Sequence, residues 1–179
     1  MKMIALKKGL DTFLEALVTV SMAVLTIDVT WQVITRFVIK HPSNWSEELA
    51  TNLMIWVGLL GAAVALHRKS HLGIDYFTNR FSERRRLVTE LVVYALVTVF
   101  SVGVMGFGGL RLVSITFMLG QLTPALKIPM GYIYLAIPVS GFFMTIYAAE
   151  FFVEAWGKLR RTRSAEAAAV HLKTKSIHN

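Results

Sequence analysis

From Leu91 to Leu110 the chain runs for twenty residues without a charged side chain. A helix rises about 1.5 Å per residue, so this run matches a hydrocarbon core of roughly 30 Å. Three further runs qualify, at about 14–35, 49–66 and 130–153. Asp28 and Gln32 lie within the first run and Pro138 within the last. Because backbone groups in lipid must be satisfied within their own segment, runs of this length are read as helices. The chain is therefore expected to be an all-α integral membrane protein with four transmembrane helices. A composition of 55% hydrophobic and 17% charged residues, with positive mean hydropathy, agrees.

Orientation follows from Lys and Arg. The N-terminal segment holds Lys2, Lys7 and Lys8. The connection between spans two and three holds Arg68, Lys69, Arg80 and Arg84 to Arg86. The last segment holds Lys158, Arg160, Arg161, Arg163, Lys173 and Lys175. The positive-inside rule then makes both termini and the middle connection cytoplasmic. Arg36 and Lys40, then Arg111 and Lys127, fall toward the opposite side, where arginines can snorkel. The net charge of +8 comes with no nucleic-acid motif and is assigned to lipid headgroups. The basic start "MKMIALKK" is that of a signal peptide, yet Asp11 and Glu15 interrupt the run that follows, and the segment reads as a retained signal-anchor helix.

Residues 1–157 form one expected domain, and 158–179 a basic, flexible tail. Within the middle connection, "HLGIDYFTNRFSERRR" is amphipathic and predicts an interfacial helix over about 72–86, with Arg84, Arg85 and Arg86 against inner-leaflet lipid.

Polar residues near the spans are candidates for contact. Asp28, Gln32 and Arg36 repeat at i, i+4 and i+8 and make one stripe, either a seam against another helix or an ion relay. Glu47 and Glu48 follow "HPSN", where Asn44 or Ser46 can cap a helix whose dipole favours them. Trp45 reads as an interface anchor, and one of the two glutamates is placed to pair with Arg36 or a partner protein. Gly58, Gly61, Ala62 and Ala65, with Gly103, Gly106 and Gly109, are small residues expected to let helices pack closely. His67 and His71 stand four apart but beside Arg68 and Lys69, a poor setting for a cation. There is no cysteine, and no nucleophile, zinc or phosphate-loop motif, so no bound cofactor or enzymatic activity is expected.

Three stretches carry a family resemblance: "NWSEELA" opening span two, "GAAVALHRKSHLGIDYF" closing it, and "GQLTPALKIPMGYIYLAIPVS" entering span four. Over about 31–145 the chain resembles the small membrane subunit of tripartite ATP-independent periplasmic (TRAP) transporters. That resemblance implies a bacterial inner-membrane scaffold beside a large multi-span subunit, which carries the sodium coupling. It also implies a periplasmic binding protein that delivers an organic acid of dicarboxylate or sialic acid type. Glu47 and Glu48 would then anchor the outer face. Two alternatives stay open on the residues alone, a small proton-coupled exporter using Asp28 and a membrane anchor for a redox enzyme.

Overall fold

In the computed structural model the backbone is described at residues 2–41, 43–68 and 83–177, and side chains at 9–41, 43–68 and 85–161. Helix α1 spans Lys2–Ile34 and ends in a π turn, Thr35–Ile39, closed by Lys40 in the left-handed region. Helix α2 covers Asn44–His67. The third rod consists of α3, Glu83–Phe100, a π stretch, Ser101–Gly108, and α4, Gly109–Met118. A short α5, Met130–Tyr134, leads into α6, Ala136–Ile177. Four of these stretches are long and apolar enough to cross a membrane: Gly9–Ile39, Asn44–His67, Arg85–Met118 and Met130–Arg161.

The spans are longer than the apolar runs that announce them, because helices continue past the hydrocarbon edge into polar residues. Arg111, expected near the end of span three, has seven further helical residues beyond it. Of the expected interfacial helix, residues 72–82 lie outside the described residues. Glu83 to Arg86 form the first turn of α3 instead, because the helix that crosses the membrane begins in the basic cluster. The tail is likewise no separate coil in the structure. Its backbone continues α6 to Ile177, as the helix-favouring "SAEAAAVHLK" permits. Pro138 interrupts the fourth span as its missing N–H requires. The Tyr134 carbonyl loses the donor that residue 138 would have supplied, while on either side Leu135 N–H donates to Gly131 O and Val139 N–H to Leu135 O, each at 3.1 Å. Neither Asn44 nor Ser46 caps α2. Ser43 holds the N-cap position without a side-chain bond, while the Ser46 hydroxyl turns back to the Ser43 carbonyl.

The helices lie in a row rather than a closed bundle. α1 packs on α2, α2 on α6, and α6 on the third rod, whereas among the described residues α1 makes no close backbone approach to that rod. Burial follows this order. In the most apolar window of each span, 39% is buried in the fourth, 22% in the second and 11% in each of the two edges. Leu60, Ala63 and Leu66 of α2 meet Phe143, Tyr147, Ala148 and Phe151 of α6, with Leu14 of α1 closing the cluster. Lipid removes the usual hydrophobic drive, so dispersion and close approach must hold such a contact. Ser140 adds a bond, donating to the Leu59 carbonyl at 2.6 Å. On the uncovered edges, Thr19, Thr26, Thr30 and Ser114 return their hydroxyls to the carbonyl four residues earlier, leaving no dangling donor.

The small residues divide sharply. A Cβ at Gly109 would meet Ile137 Cγ2 at 2.9 Å and Pro138 Cδ at 3.0 Å, so this glycine sets the approach of the third rod to α6. Gly141 does the same from the other side, 2.6 Å from Met105 Cβ. At Gly58, Gly61 and Gly103 a Cβ would meet nothing within 4 Å, and Ala62 is exposed. These positions therefore do not pack the chain against itself. Their spacing permits close approach, but α1 and α6 lie on other faces.

Candidate functional site

Two polar clusters tie the row together, one at each end of α2. At the end where α2 begins, Glu48 reaches into the connection between the third and fourth spans. Its carboxylate accepts from the backbone N–H of Ala125 at 2.6 Å and of Leu126 at 3.2 Å, and from the Thr123 hydroxyl. The connection is shaped to present those donors. Gly120 and Lys127 adopt positive φ, Leu122 pairs with Pro129, and Thr123 N donates to Ile128 O at 2.9 Å. Ile128 N donates back to the Thr123 hydroxyl oxygen at 3.1 Å. That residue is only 2% exposed, so one threonine closes the turn and joins it to Glu48. Pro124 contributes no N–H, so the backbone donors to the carboxylate are the next two amides.

Glu47, its neighbour in sequence, does something different. Its side chain is 65% exposed and stands 4.0 Å from the Arg36 guanidinium, a loose ion pair between the end of α1 and the start of α2. The two glutamates are not interchangeable: Glu48 is committed to the chain's own loop and Glu47 faces outward. They share an open cleft of ≈ 560 Å³ with Asn44, Asn52, Thr123 and Pro124. Trp45 is half-exposed beside it.

The stripe on α1 is brought together as a seam with α2. Asp28 is 6% exposed and accepts from Gln32 Nε2 at 3.1 Å, and the same amide donates to the Ser46 carbonyl at 2.9 Å. Gln32 therefore joins an acid in α1 to the first turn of α2, with Arg36 and Glu47 one turn further out. Along the first span, Gly9–Ile39, Asp28 lies about 6 Å from the midpoint and about 16 Å from the Ile39 end.

At the opposite end of α2, residues that the sequence offered only as interruptions converge. The hydroxyl of Tyr147, buried at 1% exposure, donates to Asp11 Oδ1 at 2.7 Å. His67 lays its ring 4.7 Å from that of Tyr147 and brings Nε2 within 3.6 Å of Asp11 Oδ2, ion-pair range but too long for a hydrogen bond. Arg68 reaches Glu15 Oε1 through Nη2 at 3.0 Å and Nε at 3.2 Å. Asp11 and Glu15 stand one helical turn apart, and this was the one sequence signal for the cluster. The other histidine of the i, i+4 pair, His71, lies outside the described residues. Among the described residues no group of three or more His, Asp or Glu side chains is arranged to hold a metal ion. Arg86 pairs with Glu90 at 3.1 Å, and the side chain of Arg84 lies outside the described residues.

Side-chain bonds at the helix ends, close-packed apolar midsections and a row open along both edges define a small helical membrane protein of four spans. Residues 25–158 match the family model of the DctQ component of tripartite ATP-independent periplasmic transporters, and the chain belongs to that family. It is a transporter component and not an enzyme, a multi-pass protein of the inner membrane. It is 36% identical over 109 residues, 60% of its length, to the sialic acid TRAP transporter small permease protein SiaQ of Vibrio cholerae. Against the C4-dicarboxylate TRAP transporter small permease protein DctQ of Rhodobacter capsulatus it is 30% identical over 100 residues, 56% of this chain. A 68-residue stretch, 38% of the chain, is 43% identical to the sialic acid TRAP transporter permease protein SiaT of Haemophilus influenzae. The matches span 63%, 44% and 11% of those three proteins.

Proposed function

We propose that this chain is the stationary small permease subunit of a sodium-coupled importer of an organic acid, acting as a scaffold beside a large multi-span subunit that carries both the substrate and the sodium. The observation that carries the reading is the open row of helices. In each of the two edge spans only 11% of the most apolar window is fully buried, and the small residues Gly58, Gly61, Ala62 and Gly103 look away from the chain. Such faces suit packing against another membrane protein. The names of the relatives favour an anionic substrate, a sialic acid ahead of a dicarboxylate, delivered by a periplasmic binding protein. Under this reading the chain binds no cofactor of its own. The positive-inside distribution supports cytoplasmic termini and a periplasmic Glu48 end, where Glu47, Trp45 and Arg36 would be available to partners.

The proton-coupled exporter loses support from the setting of Asp28, whose carboxylate is held by Gln32 in the seam with α2. Coupling carboxylates near the midplane of transporters commonly sit at broken helices, whereas α1 runs unbroken through Asp28. Proteoliposome uptake tests the choice: sodium-dependent accumulation of sialic acid is expected only when the large subunit, the binding protein and this chain are all present. Uptake by this chain alone, abolished by Asp28→Asn, would overturn the scaffold. Orientation is read separately, by labelling Gln121→Cys and Ser82→Cys with an impermeant maleimide. The first should react from the periplasmic side and the second only after permeabilisation.

A further inference from the structure

Between the third rod and α6 runs an apolar crease of ≈ 490 Å³, walled by Gly106, Phe107 and Leu110 on one side and Leu135 and Phe142 on the other. Its floor is closed. The two helices touch at Gly109 against Pro138 and at Gly141 against Met105, so a hydrocarbon chain can lie in the crease but not pass through it. Few polar atoms face it, because the Thr145 hydroxyl is bonded back to the Gly141 carbonyl and the Ser101 hydroxyl is buried. At one end the crease stops near Ser101, at mid-run; at the other it stops at Leu110, directly before Arg111. The ten residues between Ser101 and Arg111 span about 15 Å, half of a hydrocarbon core of roughly 30 Å. The crease is thus one leaflet deep, with a cation at headgroup height. Arg111 is exposed, and among the described residues no hydrogen bond or ion pair engages it.

We propose that this crease is a binding site for a single phospholipid, with an acyl chain along Gly106 and Phe142 and the phosphate on the guanidinium of Arg111. Length and charge select this occupant. A partner's spanning helix would need a groove through both leaflets, whereas a phospholipid needs an apolar slot one leaflet deep and a donor at its mouth. Arginine suits the second task, since its planar fork matches phosphate oxygens. The inference holds whichever way the chain is oriented and does not depend on the transport reading.

Native mass spectrometry of the full chain, purified alone in mild detergent and titrated with phosphatidylglycerol or phosphatidylethanolamine, tests it. One phospholipid per chain is expected to persist after others are stripped. Arg111→Gln should weaken its retention about tenfold, as expected for a lost charge-assisted hydrogen bond, and Arg111→Lys should retain most of it. Gly106→Leu, which fills the crease, should lose it altogether. Retention unchanged in both Arg111→Gln and Gly106→Leu overturns the site. So does a Gly106→Leu chain that binds lipid normally yet fails to co-purify with the large subunit, because the crease would then seat a partner helix. Arg111 is a surface position, so the Gln variant decides the matter even if Gly106→Leu does not fold.

Discussion

The two ends of α2 solve the same problem with different chemistry. At the Glu48 end a carboxylate takes its donors from the backbone of a loop distant in sequence. At the Asp11 end the bond joins side chains of two helices, with His67 laid against them from a third. Backbone donors fix the shape of the segment that supplies them, so Glu48 specifies a loop. Side-chain donors fix the distance between rods already formed, so Asp11 and Tyr147 specify helix packing. The first arrangement fails by releasing a turn, the second by loosening a seam.

Removing Glu48 should break the comparison most visibly. Glu48→Gln keeps the size but gives the carbonyl side only part of the acceptor capacity and places an NH2 against amide donors. The expected result is the largest fall in thermal stability of the set, with fast hydrogen exchange at Ala125 and Leu126 while the amides of α6 stay protected. Protection at both loop amides in the variant would mean that the turn holds itself.

Next in size is Tyr147→Phe, which removes the donor and leaves Asp11 facing a ring. A net loss of about 1–2 kcal/mol is expected in denaturant titration, because the bond goes to a charged acceptor. Unlike Glu48→Gln, it should leave exchange at Ala125 and Leu126 unaltered. If those amides loosen too, the two ends are coupled through α2 and the contrast drawn between them is wrong.

Ser140→Ala sharpens the picture between the ends, since its hydroxyl donates to a helix carbonyl in the midsection. Interhelical bonds of this kind in membranes average about 0.6 kcal/mol, so the change should be smaller than for Tyr147→Phe in the same titration. The smallest effect is assigned to Glu47→Gln. An exposed pair such as Arg36 with Glu47 contributes about 0–1 kcal/mol, and stability should scarcely move. A clear fall in transport or in complex yield without a fall in stability would make Glu47 a partner contact, distinct from its structural neighbour.

Much of this molecule was legible without coordinates. The four spans announce themselves because a membrane helix needs some twenty apolar residues, and Leu91–Leu110 satisfies that with no charge at all. The stripe Asp28, Gln32, Arg36 was visible as a period of four, and the break above Pro138 follows from a missing donor. Other features were not legible. Glu47 and Glu48 look equivalent in "NWSEELA", yet adjacent residues on a helix point about 100° apart, and only one of them reaches the loop. Asp11 and Glu15 looked like blemishes in an apolar run until His67, Arg68 and Tyr147 arrived opposite them.

The sequence by itself determined how many times the chain crosses the membrane, where it turns and to which family it belongs, because each of these depends on local composition or on short ordered motifs. Only the tertiary structure decided that α2 and α6 lie at the centre and α1 and the third rod at the edges. The physical reason lies in the solvent. In water a helix shows its buried face by the contrast between apolar and polar stripes, but in lipid all faces are apolar and that contrast vanishes. Which side of such a helix meets a neighbour is set by shape, by glycines such as Gly109 and Gly141, and by a few polar bonds at the ends, all of which become apparent only when the helices are brought together.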